Sequence, residues 1–266
     1  MKFSQKLTGP NRAVEDLTRS NSLFLSCAAQ NSHKVLSEVH EWFMIGLTIV
    51  QDGERAYPPR NFELFKRISE DFKAVRSLLA GADIGVDDFE FTPEPKLEEV
   101  LYPFTKRSTP EKLRLIHNIG GQKIALSLED ESKGTVALLG LLKPLTYASI
   151  LGQLLCIDEL DASLHSHLAI DLVKRFTSST NKHQAQLLFN THDTNLLSAD
   201  VLRRDQIWLT EKGSDGASTL YPLTDFKPRA QENLEKGYLQ GRYGAIPFIN
   251  ADEFFPVLKA ANGKKR

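Results

Sequence analysis

The sequence predicts an α/β protein with a mainly parallel sheet and an N-terminal helical subdomain. A short, continuous apolar run, Leu154 to Ile157, and a second strand-like segment, Gln186 to Phe189, each stop abruptly in polar residues, and a helical repeat of Leu164, Leu168, Leu172 and Phe176 lies between them. Runs of this length are typical of buried central strands, and a strand-helix-strand unit sets its two strands parallel, with their C-terminal ends on one edge. That edge collects Asp158-Glu159 and Asn190-Thr191-His192-Asp193. In open α/β sheets it is also the edge where ligands bind.

Composition narrows the function classes. The chain has 266 residues, 41% of them hydrophobic, too apolar for a disordered protein and long enough for one or two cores. Its formal net charge is -1, so no global field draws it to nucleic acid or anionic membrane. Cys27 and Cys156 sit in apolar runs, which predicts reduced, buried thiols and a cytoplasmic setting. Met1 to Lys6 leads into no apolar core of a secretory signal, and the stretch from Val136 to Ile157 is interrupted by Lys143-Pro144 and Gly152-Gln153, which argues against a membrane span.

In chain order, Ser22 to Ala29 reads as a short helix, and Val35, Leu36, Val39, Trp42 and Phe43 form a helical stripe. A second stripe, Phe65, Ile68, Phe72, Val75 and Leu79, ends at Gly81; both stripes are expected to pack internally. Residues 84 to 107 read as an edge strand and loop. Leu113 to Asn118 and Lys123 to Leu128 flank Gly120-Gly121 as a hairpin. A helix is expected from Val136, stopped by Pro144. Gln206 to Thr210 pairs with Ser218 to Tyr221 across a Gly-rich turn. The predicted division is 1–110 as a mainly helical arm, 111–250 as the α/β lobe and 251–266 as a tail.

The chemistry of the edge follows from residue type. Asp158 at a strand end suits Mg²⁺, which takes few protein carboxylates and keeps waters and phosphate oxygens, and Glu159 beside it suits a general base for water. Glu131-Ser132-Lys133-Gly134-Thr135 opens a helix, where backbone N–H groups favour anions.

These features occur in a recognisable order. Glu131 to Thr135 resembles the signature loop of ABC-type ATPases, Leu154 to Glu159 a Walker B strand, Ala162-Ser163-Leu164-His165 the D-loop, and His192 the switch histidine. With Ser22 to Ser26, Arg203 to Trp208 and Gly241 to Pro247, the chain resembles the RecF/SMC-like branch of ABC-type, AAA-family ATPases, including RloA-like phage-defence ATPases. The resemblance implies a P-loop-NTPase lobe, ATP and Mg²⁺ as cofactors, and a dimer formed through the nucleotide. It implies that Ser132, Gly134 and Ser163 meet a nucleotide held by the opposite body, that Asp158 holds Mg²⁺, and that Glu159 and His192 are catalytic. DNA or a nuclease is a further implied partner, and no membrane is.

One departure stands against these matches. The family's phosphate cradle, G-x-x-x-x-G-K-[ST], is missing: Gly120-Gly121-Gln122-Lys123 lacks the spacing, and Gly263-Lys264-Lys265 lies in a charged tail. The expectation is therefore the C-terminal part of such an ATPase, with Walker A supplied by another chain or lobe or lost by truncation. The alternative is a non-catalytic regulatory or interaction subunit of a phage-defence or DNA-processing complex. Glu131-Ser132-Lys133 also matches the E-x-K of metal-dependent nucleases, but no strand aspartate is suitably placed before it. His165 and His167 point to different faces of a helix start, and no G-x-S-x-G of a serine hydrolase is present. For Arg242 and Tyr243 the sequence leaves two roles open, docking their segment on the core or contacting a partner.

Overall fold

The computed structural model describes residues 2–4, 6–51, 79, 85–93, 111–229 and 231–246. The chain divides into two units, Met1–His192 and Asp193–Arg266.

The first unit opens with three short helices, α1 (Asn11–Leu17), α2 (Phe24–Gln30) and α3 (Lys34–Glu41). His33 is fully buried and joins them: its Nδ1 accepts the Leu36 N–H as the cap of α3, and its Nε2 lies 3.1 Å from the Asn11 side-chain oxygen. The stripe through Val35 and Phe43 is helical as far as α3 and then passes into a π-helical turn, Trp42–Gly46. Its residues are not buried: Val39, Trp42 and Phe43 are 40 to 50% exposed. An amphipathic repeat specifies a face and leaves open what covers it. The second stripe lies outside the described residues except for Leu79, which is buried.

Strand β1 (Leu47–Val50) follows the π-helical turn and pairs in parallel with β5 (Leu154–Ile157), which pairs in parallel with β6 (Gln186–Phe189). The segment read as a helical arm thus contributes a strand to the parallel sheet. One sheet face carries Val50, Leu155 and Ile157, all buried; on the other, Ile49 and Leu188 stand 58% and 62% exposed. A separate antiparallel sheet holds β2 (Val86–Pro93), β3 (Glu111–Ile119) and β4 (Gln122–Ser127), with the expected edge strand and hairpin, so parallel pairing is confined to one sheet. Gly120 and Gly121 turn the hairpin at φ +60° and +83°, as a two-residue type I′ loop needs.

Helix α4 (Lys133–Leu151) corrects the expected stop at Pro144, which lies inside it. Pro144 deprives the Gly140 carbonyl of its N–H partner, a cost of about 3 kcal/mol in a helix interior. The helix buries Leu138, Leu139, Leu141, Leu142, Leu145 and Ala148, and at about 1.5–3 kcal/mol per large side chain this packing outweighs the break. It ends about two turns later at Gly152, in the left-handed region at φ +66°. Leu138, Leu139 and Leu142 pack with Leu79, Phe89, Leu113 and Leu115 in one core. Among the described residues α4 is the one helix long and apolar enough to cross a membrane, and nearly half of it is buried within the fold. Helix α5 (Ser166–Thr177) completes the strand-helix-strand unit.

The second unit holds the expected ribbon of β7 (Trp208–Lys212) and β8 (Ser218–Pro222), and a short helix α6 (Leu234–Leu239). Ile207, Leu209, Leu223, Leu234 and Tyr243 form its core. Tyr243 docks the glycine-rich segment: its hydroxyl donates to Glu232 at 2.8 Å, and Arg242 pairs with the same carboxylate. Both cysteines are free thiols and half-buried, where full burial is the expectation; burial still pushes the Cys156 thiol up.

Candidate functional site

Alternation along β5 buries Leu155 and Ile157, and the strand ends as the Asp158 N–H donates to the Val50 carbonyl at 3.0 Å. Past that bond the chain turns. Glu159 takes φ +51°, uncommon for a residue with a side chain, and the next side chain, Leu160, is fully buried. The buried leucine anchors the turn and leaves the Asp158 and Glu159 carboxylates on the exposed side.

The end of β6 is stitched to this turn by two side chains. Asn190 donates from Nδ2 to Asp158 Oδ1 at 2.6 Å, its Oδ1 accepts the Glu159 N–H, and its carbonyl accepts the Leu160 N–H at 3.0 Å. In the other direction, Asp161 Oδ1 accepts the Thr191 hydroxyl at 2.6 Å and the His192 N–H at 3.3 Å. His192 itself is exposed. Asp158, Glu159 and His192 therefore share one sheet edge and belong to two loops held against each other.

The helix start at residue 132 is the second part. Ser132 caps α4, its Oγ accepting the Thr135 N–H at 3.1 Å and lying 2.8 Å from the Thr135 hydroxyl. A cap ahead of a nineteen-residue helix presents first-turn N–H groups and the positive end of the dipole. Gly134 is packed so closely that an added side-chain carbon would lie 2.9 Å from the Ser163 carbonyl oxygen. Only glycine lets these backbones approach so near, so Gly134 and Ser163 meet within one chain. Ser163 is exposed, at φ +61°.

Glu131, one residue earlier, has its carboxylate 2.6 Å from His117 Nε2 on β3; the two side chains are 4% and 13% exposed. This buried pair fixes the residue that precedes the cap. Sequence reasoning gave no role to Asn190, Asp161 or His117. The one available signal was the polar cluster after β6, and it does not say which side chain turns inward. His165 caps α5, its Nδ1 accepting the His167 N–H at 3.3 Å, and both rings are exposed. Among the described residues no group of three or more His, Cys, Asp or Glu could hold a metal ion by itself. A Mg²⁺ at Asp158 would take most of its oxygens from water and phosphate, a coordination this ion accepts.

A family model described as "AAA domain, putative AbiEii toxin, Type IV TA system" matches residues 8–198. The chain belongs to this AAA-domain family. The match runs through the helix start at Ser132, the turn at Asp158 and the segment at His192, and the α/β architecture with its parallel sheet agrees with a P-loop-NTPase-like fold. AAA domains are nucleotide-binding ATPases that use Mg²⁺. No curated protein matches the chain.

Proposed function

We propose that this chain supplies the hydrolytic half of an ATP site whose phosphate cradle comes from a P-loop-bearing lobe, on another chain or elsewhere in a longer protein. The clasp between the 158–161 turn and the 190–192 segment carries the reading, because it holds the Asp158 carboxylate and the backbones of Glu159 and His192 at the ligand-binding edge of a parallel sheet. The exposed face with Ile49 and Leu188 supports it, since parallel sheets are ordinarily covered on both faces.

In this reading Asp158 holds Mg²⁺, directly or through water, and Glu159 takes the proton from the attacking water. His192 senses the γ-phosphate. Bound Mg²⁺ supplies charge neutralisation at the phosphate oxygens. Ser132, the N–H groups around Gly134 and the backbone at Ser163 face a nucleotide held by the opposite body, so two bodies close over each ATP. The setting is cytoplasmic, and the output is a phage-defence or DNA-processing event of the RecF/SMC-like kind.

Phosphate release from MgATP, measured with the full chain alone and with a P-loop-bearing AAA lobe added, tests the reading. Hydrolysis is expected in the mixture and not from the chain alone, and Glu159→Gln should lower turnover by about 10²–10⁴. Turnover that survives Glu159→Gln refutes the base assignment. No hydrolysis with any P-loop-bearing lobe would make the chain a non-catalytic interaction subunit.

A further inference from the structure

We propose that Asn190 is the positioning residue of this site, one carboxamide that sets both the carboxylate of Asp158 and the backbone of Glu159. The proposal rests on the roles given above to Asp158 and Glu159.

Asn190 grips the turn through its backbone and its side chain. Its N–H donates to the Ile157 carbonyl at 3.4 Å and its carbonyl accepts from Leu160 at 3.0 Å, so it spans the turn from the last strand residue to the buried anchor. Its side chain then reaches the two residues in between, Asp158 through Nδ2 and Glu159 through Oδ1. The amide has one orientation that satisfies both, because a carboxylate only accepts and a backbone N–H only donates.

No other side chain of this length offers a donor and an acceptor in one rigid plane. Aspartate would keep the acceptor, lose the donor and set a second carboxylate against Asp158. Alanine would lose both. The contact to Glu159 falls where the backbone needs it, since a non-glycine residue at φ +51° persists when its surroundings over-determine it. Asn190 also stands two residues before His192, whose N–H is held by Asp161. A displacement of the switch segment therefore reaches the Glu159 backbone through a single side chain.

The test compares the full chain with Asn190→Ala, Asn190→Asp and, as a control for general destabilisation, Asn181→Ala. Asn181 makes three hydrogen bonds in the loop before β6, to Phe176 and Ala185, and touches none of the site residues. Amide hydrogen exchange at Glu159 should speed up about tenfold or more in Asn190→Ala and stay near wild type in Asn190→Asp and Asn181→Ala. In the complex with a P-loop-bearing lobe, both Asn190 variants should lower kcat about 10–100-fold, with KM for ATP within about twofold. The Asn181 variant should leave kcat unchanged despite a lower Tm. Wild-type exchange at Glu159 in Asn190→Ala overturns the proposal, and so does an equal kcat loss in the Asn181 control. If the wild-type complex does not hydrolyse ATP, the ATPase reading fails, and exchange at Glu159 alone decides whether Asn190 positions the turn.

Discussion

His117→Ala would strand a carboxylate. Glu131 is 4% exposed and its Oε1 lies 2.6 Å from His117 Nε2, so removing the imidazole leaves a buried acid without that partner. Breaking one side of a buried pair costs about 3–5 kcal/mol, most of it the desolvated group left behind. For a unit of this size each kcal/mol moves Tm by about 2–4 °C, so the variant should melt roughly 6–20 °C lower. Glu131→Gln keeps the side-chain volume and a neutral hydrogen-bonding group, and should cost only about 1 kcal/mol. In His117→Ala/Glu131→Gln no buried carboxylate is left stranded, and the double variant should lose about 1–3 kcal/mol less than the sum of the two single losses. Urea unfolding of the four proteins, followed by a signal from the first unit, gives the cycle. A loss below about 1 kcal/mol for His117→Ala, or strict additivity, would refute the claim that this pair anchors the residue before the Ser132 cap.

Ser132→Ala removes the hydroxyl that caps α4 and should destabilise the first unit by about 1 kcal/mol, read by the same urea unfolding. In the second unit, the Arg229 N–H and then the Tyr243 hydroxyl hold the Glu232 carboxyl below its ordinary value. A lowered acid stabilises the folded state above the unfolded pKa and loses that contribution as pH falls through the folded value. Melting of the second unit should therefore weaken on the acid side of the usual carboxylate range, and Glu232→Gln should flatten this limb; an unchanged acid limb in the variant would sink the assignment.

What the sequence made legible was local. The apolar runs of β5 and β6, the hairpin at Gly120-Gly121 and the ribbon β7–β8 follow from patterns within a few residues, and the structure has each of them. The strand β1 escaped because four residues, Leu47 to Val50, directly follow a helical stripe and carry no period of their own. The stop at Pro144 failed because the rule weighs one hydrogen bond, while the buried leucines on both sides of the proline weigh more. Asn190, Asp161 and His117 act across gaps of 14 to 32 residues, and no periodicity encodes which polar side chain turns inward across such a gap.

That difference bears on the proposed division of the site between this chain and a P-loop-bearing lobe. Asp158, Glu159 and His192 are held by partners within the first unit, through Asn190 and Asp161, and Ser132 is held by its own helix. The phosphate cradle has no counterpart in the 266 residues, and the sheet face beside the site carries exposed Ile49 and Leu188. On the proposed reading, a site divided this way would have its hydrolytic residues set in advance and its phosphate-gathering loop supplied on association. Hydrolysis would then report that the two bodies have met, and its rate would follow their encounter more than the level of ATP.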